Sequence, residues 1–178
     1  NHFGVFVSAQ RPEFEDPVWK LALSRCKGSV EVWSKYLETL MNEGKSQLAR
    51  DELKKGFQSF ESMKSEDRWK LIERFGIFEF RNGNVEHGRS SFEHLIKERP
   101  NVFDFWNVYI DMETKYGDVD HARAIYDKLA HTDLKLHRMK AILKKWLTFE
   151  TTHGDDPNRK AHIKQIAVEY RARSNSME

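Results

Sequence analysis

The chain has 178 residues, 39% of them apolar and 12% aromatic, which suits one packed domain or one short repeat array and excludes a disordered tail. Its net charge of +2 says little about partners, and its single cysteine, Cys26, excludes an internal disulfide and favours a reducing compartment. No apolar run approaches the roughly 18 residues of a membrane span, nothing resembles a signal peptide, and four Pro with nine Gly favour long regular elements over a loop-rich β fold.

In chain order, residues 1–16 are set aside as an N-terminal extension. Their "NHFGVFVSAQRP" fits either an extended segment on the edge of the fold or the remnant of an earlier helix. The first residue is Asn rather than Met, which reads as a piece cut from something longer. "EDPVWKLALSRC" predicts an orphan helix over 17–27, with Pro17 in its first turn. Trp19, Leu21, Leu23 and Cys26 are expected partly inward, Cys26 as a buried structural thiol. "SVEVWSKY" opens a first helix pair over about 30–62. The polar "FESMKSEDRWK" at 60–70 reads as a long connection that contacts a partner, with Trp69 a displaced packing aromatic. Further pairs are expected at about 67–99, 103–131 and 136–171, with Pro100 stopping one helix before the next begins. The apolar pattern ends after Tyr170, so 172–178 should fray.

The pairs are copies of one another. Starting at Trp33, Ile72, Trp106 and Leu143, the residue three positions on is Tyr36, Phe75, Tyr109 and Trp146, always aromatic. Six on stand Thr39, Phe78, Met112 and Phe149, and seven on Glu79, Glu113 and Glu150, from which Leu40 departs. Eleven on, all four are glycine: Gly44, Gly83, Gly117 and Gly154. Seventeen on come Arg50, Arg89, Arg123 and Lys160, and twenty on Leu53, Phe92, Tyr126 and Ile163. The starts lie 39, 34 and 37 residues apart, the period of helical-hairpin repeats.

Each column has a physical reading. Trp106, Tyr109 and Met112–Glu113 fall on one helical face, with Met112 and the aromatics in the core. Gly117 follows where that face ends, at a place suited to the left-handed conformation. Asp118 or Asp120 then caps a second helix, and the small Ala49, Gly88 and Ala122 let that helix approach the first. Glu79 with Arg89, and Glu113 with Arg123, are expected as structural ion pairs across the turn inside one hairpin. A lone hairpin cannot bury its aromatics, so neighbours stack and share a core.

Helix pairs carrying Trp106, Tyr109, Glu113, Gly117 and Ala122–Arg123 in this order resemble half-a-TPR (HAT) repeats, and the resemblance covers about 17–171. It implies an all-α fold, a right-handed α-solenoid of antiparallel helix pairs, and a setting in RNA-processing assemblies. "VFDFWNVYIDMETKYGDVDHARAIYDKL" followed by "HRMKAILKKWLTFETTHGD" is similar to the closing repeats of large pre-ribosomal RNA-processing scaffolds. His137 stands where those scaffolds carry a basic residue, and Gly88 replaces their usual Ala. That resemblance implies a non-enzymatic nucleolar module whose parent carries S1-type RNA-binding domains. Its implied partners are proteins of the pre-ribosome and small-subunit processome, and pre-rRNA; no membrane and no small-molecule substrate are implied. The rival is a HAT scaffold of a splicing or mRNA 3′-end factor that acts as a dimer.

Chemistry has no visible home. None of the zinc-protease, paired-cysteine, phosphate-loop or nucleophile-elbow motifs occurs, so no catalytic residue, cofactor or metal is expected. Gly83 and Gly88 in "RNGNVEHG" are explained by the repeat as turn and close-packing glycines. The surface offers more. From Leu134 to Arg173 there are ten Lys/Arg against four Asp/Glu, compared with twenty against twenty-three over residues 1–133. Arg138, Lys144 and Lys145, with Arg159, Lys160 and Lys164 on the following helix, form a candidate basic ridge for RNA or an acidic partner.

Overall fold

The computed structural model describes residues 15–59 and 63–176; the readings made for 1–14, 60–62 and 177–178 lie outside them. Among the described residues every regular element is a helix. In order these are α1 (Glu15–Arg25), α2 (Val30–Asn42), α3 (Ser46–Ser59), α4 (Ser65–Arg81), α5 (Val85–Glu98), α6 (Phe103–Tyr116), α7 (Val119–Ala130), α8 (Leu136–Thr152) and α9 (Pro157–Asn175). The protein is all-α. Two compact units divide the chain after Leu95, within α5.

In the first unit, α2 packs against α1, α3 and α4. Trp19, Trp33, Tyr36, Leu37, Leu40, Leu53, Leu71 and Phe75 share its core. In the second, α6 packs on α7, α7 on α8, and α8 on α9. There Tyr126 lies flat on Trp146, with ring centroids 5.5 Å apart and an interplanar angle of 4°, and tilts against Phe149. The first-column tryptophans make the same tether in both units: Trp33 Nε1 donates to the Lys27 carbonyl (3.3 Å) and Trp106 Nε1 to that of Pro100 (2.8 Å). Each indole thus covers an otherwise unpaired carbonyl at the end of the preceding segment while its ring fills the core.

Uneven repeat spacing becomes helix length. α4 and α8 have 17 residues each, against 13 in α2 and 14 in α6. The added residues make about one turn at 3.6 residues per turn, so the inward face is preserved. The stretch at 60–70 is therefore not a long connection: from Ser65 it is the first part of α4, and Met63 is buried beside it.

Three of the four column glycines have positive φ: +74° at Gly44, +80° at Gly83 and +129° at Gly154. They allow the amide of the next residue to wrap back to the carbonyl five positions earlier, as in Lys45→Leu40 (2.9 Å), Asn84→Glu79 (2.8 Å) and Asp155→Glu150 (2.8 Å). Gly117 corrects the expectation drawn for it. Its φ is −99°, and α6 continues one residue further before it. The Asp118 amide, which would make the wrapping bond, donates to Glu113 Oε2 instead (3.3 Å). A Cβ here would sit 1.9 Å from that carboxylate oxygen, so a larger residue would displace the Glu113 side chain from the Asp118 amide. The α7 cap is Asp118, whose side chain accepts from the His121 amide (2.8 Å). Gly88 also has a packing cause, since a Cβ there would be 2.5 Å from the Phe80 ring.

Other expectations are corrected. Leu21 and Cys26 are exposed, because Trp19 and Leu23, four residues apart, take the inward face of α1, and Cys26 lies past its end. Met112 and Phe78 are half-buried, because the sixth position lies at the margin of a face whose centre passes through the seventh. α9 remains helical through Asn175, where fraying was expected from 172, since its backbone bonds are local and outlast its last buried residue, Tyr170. The Tyr170 hydroxyl donates to the Leu134 carbonyl and accepts from its amide (3.1 Å), pinning α9 to the α7–α8 loop.

Two measurements check this core. Trp106→Ala should lower stability by roughly 3–5 kcal/mol, the range for deleting a buried large aromatic side chain, and an unshifted denaturation curve would show that the indole is not buried. Burial raises the Tyr126 phenol pKa well above its ordinary value of 10.0. The folded state therefore keeps this proton when the unfolded chain releases it. Its contribution is complete below the unfolded pKa and is lost as pH rises above it, by up to about 1.4 kcal/mol per pH unit. Tyr126→Phe should flatten the alkaline decline seen by denaturant titration at successive pH values; an equal decline in both proteins would contradict this.

Candidate functional site

The seventh-column glutamates are the most buried charged groups among the described residues: Glu79 and Glu113 are 0% exposed and Glu150 1%. Two of them meet an arginine from the preceding hairpin, not from their own. Arg50 donates through Nε to Glu79 Oε1 (2.7 Å) and through Nη2 to Oε2 (2.9 Å). Arg123 donates through Nε to Glu150 Oε1 (2.9 Å), through Nη2 to Oε2 (3.1 Å), and again through Nη2 to the His153 carbonyl (3.1 Å). The expected pairs Glu79–Arg89 and Glu113–Arg123 are thus replaced by pairs between successive hairpins. The start of one second helix lies beside the end of the next first helix, and the planar guanidinium spans that contact with two parallel bonds.

Each arginine is held from its own helix as well. Three residues earlier stand Gln47, Glu86 and Asp120, accepting from Arg50 (3.3 Å), Arg89 (2.7 Å) and Arg123 (3.0 Å). Trp146 Nε1 adds a bond to Glu150 Oε1 (3.3 Å). The hydrogen bond to Glu150 raises the Arg123 pKa above its usual value. A site satisfied in this way positions helices.

The six basic ridge residues differ in their surroundings. Lys145 Nζ donates to Asn107 Oδ1 and Asp111 Oδ1 (2.6 Å each). Lys160 pairs with Asp155, and Arg159 lies 3.8 Å from Asp156 and 3.9 Å from Glu150. Arg138 is exposed with its guanidinium over the Phe103 ring, 5.7 Å from the centroid. It stands at the start of α8, whereas Arg159 reaches Glu150 near that helix's end, an axial separation of about 18 Å at 1.5 Å per residue. Lys144 and Lys164 are exposed. The sequence reading missed Lys140 and Arg171, which border the α8–α9 groove together with Lys144. Lys140 lies four residues before Lys144 on the same helix face, a signal open to periodicity; Arg171 comes from α9 and is placed there only by packing.

Among the described residues no group of three or more His, Cys, Asp or Glu side chains is placed to hold a metal ion. None of the described helices is long and apolar enough to cross a membrane.

No protein-family model matches the chain. It is 34% identical over 173 residues to the rRNA biogenesis protein rrp5 of Schizosaccharomyces pombe, covering 97% of this chain and 10% of that protein. The Protein RRP5 homolog of Mus musculus is 27% identical over 175 residues, which is 98% of this chain and 9% of the relative. The chain therefore spans about a tenth of the length of the curated relatives it matches. A shorter likeness, 30% over 82 residues and 42% of the chain, joins it to the pre-mRNA-splicing factor CLF1 of Pyricularia oryzae, of which it covers 12%.

The inter-hairpin pair makes a distinct mutational forecast. Arg50→Ala leaves the Glu79 carboxylate buried without its fork and should cost roughly 3–5 kcal/mol. Replacing both partners together, Arg50→Met with Glu79→Leu, should recover most of that loss in urea titration. Additive losses would mean that the two side chains are not coupled.

Proposed function

The chain is homologous along nearly its whole length to a segment of the RRP5 rRNA biogenesis proteins, and from that kinship we propose that it is a non-enzymatic scaffold module of a pre-rRNA processing factor. The carrying observation is that 97% of the chain aligns at 34% identity with a protein named for rRNA biogenesis. The internal repeat and its HAT-like columns suit the same role. Stacked hairpins spend their buried residues on one another and leave surface, not a shaped pocket, for recognition. On this reading the module acts in the nucleolus and binds proteins of the pre-ribosome and small-subunit processome.

The splicing-factor likeness favours one rival, a scaffold of a splicing or 3′-end complex. It reaches 42% of the chain, so it supports a shared repeat more than a shared assembly. Direct contact with pre-rRNA through Arg138, Lys144, Lys145, Arg159, Lys160 and Lys164 is the weaker route, because carboxylates already face Lys145, Arg159 and Lys160. Phosphate binding there would have to displace those partners.

Cross-linking mass spectrometry on the full-length protein in purified pre-ribosomes tests the reading. Lysines of this chain should link to ribosome-assembly proteins; links confined to spliceosomal or 3′-end proteins would transfer it to the rival.

A further inference from the structure

The hairpin of α8 and α9 presents a face whose counterpart on α2 is covered. On α2, Val30, Ser34 and Leu37 are 4%, 7% and 0% exposed, and α4 is the helix with which α2 makes its most extensive contact. Arg74 of α4 donates to Ser34 Oγ (3.3 Å) and lies 3.8 Å from Glu31. The matching place on α6 is Asn107, whose Oδ1 accepts from Lys145 of α8. Arg74 and Lys145 occupy one repeat position, two after the first column. In both cases an incoming first helix sets a cation on a neutral oxygen of the helix it covers.

On α8 the corresponding residues are Lys140, Lys144 and Leu147. They edge a groove of about 340 Å³ between α8 and α9, floored by Leu143, Leu147 and Val168 and completed by Arg171. Val168 is 64% exposed, against the usual fate of a large apolar side chain on a packed helix. The lining is apolar while its rim is cationic.

Charge decides what fits. Another repeat of this kind would bring its own cation onto Lys144, where Ser34 and Asn107 offer oxygen. The forward-reaching column differs here too: Lys160 stands where Arg50 and Arg123 grip the next glutamate, and it turns back to Asp155. A second copy meeting groove to groove would oppose Lys140, Lys144 and Arg171 with themselves. Single-stranded RNA lacks a stacking platform, since the groove's one ring, Tyr170, is buried and tied to Leu134.

We propose that the α8–α9 groove receives an amphipathic helix of a partner protein, its apolar stripe on Leu143, Leu147 and Val168 and its Asp or Glu side chains on Lys140, Lys144 and Arg171. This deepens the scaffold reading and rests on it only in taking the partner to be a protein.

The probe is a phage-displayed library of amphipathic helical peptides with randomised polar positions, selected on the immobilised chain. Enriched peptides should carry carboxylates beside an apolar stripe. Lys144→Glu and Val168→Glu, both at exposed positions, should each weaken the best peptide by at least about tenfold. Their melting midpoints should be unchanged, and Lys54→Glu, at an exposed position of α3 in the other unit, should leave binding intact. No enrichment, enrichment of basic or neutral peptides, or binding indifferent to both groove variants overturns the proposal. Oligouridine binding abolished by Lys144→Glu, with no peptide enriched, would overturn it in favour of a nucleic-acid surface. Cross-links to assembly proteins elsewhere on the chain would leave the scaffold reading standing while the groove fails.

Discussion

A carboxylate buried at the end of a helix must find a cation or a donor, and here that requirement sets how one hairpin meets the next. Glu79 and Glu150 are removed from water and each is gripped by a guanidinium from the hairpin before. Apolar side chains would tolerate a slip of the two helices with modest repacking. A two-bond fork between a planar cation and a carboxylate does not, because displacement by one residue leaves both charges unpaired in low dielectric. The aromatic core supplies the bulk of the driving force; the arginine–glutamate pair sets the register in which that core closes.

The same glutamate position does a second task in the third hairpin. Glu113 is equally buried, and its carboxylate folds over the turn to take the Asp118 amide. In the other hairpins the matching amide reaches a backbone carbonyl through a left-handed glycine. One conserved-looking column of glycines therefore answers two different demands. At Gly44 and Gly83 the backbone must enter a region hostile to L side chains; at Gly117 the space of a Cβ is already filled. Gly88, outside that column, is a second case of occupied space, with the Phe80 ring where the first and third hairpins place an alanine methyl.

Such a design leaves function to edges and ends. Two of the three buried glutamates are spent on joining hairpins, and three of the six ridge cations, Lys145, Lys160 and Arg159, are answered by Asp111, Asp155 and Asp156. On the outer face of α8 and α9, among the described residues, the pattern of acceptors that serves Arg74 and Lys145 gives way to lysine. A scaffold in an assembly of many proteins works through faces of this type, where apolar area provides adhesion and the sign of the rim selects the partner.

The helix pairs, their turns and their inward aromatic faces were legible before any coordinates, because helical periodicity and turn glycines are local: each is set by residues within a few positions along the chain. The partner of Glu79, the exposure of Cys26, the helical start of α4 at Ser65 and the different geometry of Gly117 were not. The pairing arithmetic pointed to Arg89, because the arginine of the same hairpin stands ten residues past the glutamate at both Glu79 and Glu113. The arginine of the preceding hairpin lies 29 residues before Glu79 and 27 before Glu150, and only the packing of one hairpin on the next brings Arg50 within 2.7 Å. Likewise, Lys140 and Lys144 can be placed on one face from spacing alone, but Arg171 joins them through the docking of α9. Sequence determined the repeated unit, whose interactions close within one hairpin; tertiary structure decided which charges meet between hairpins, because that depends on distances spanning about a whole repeat.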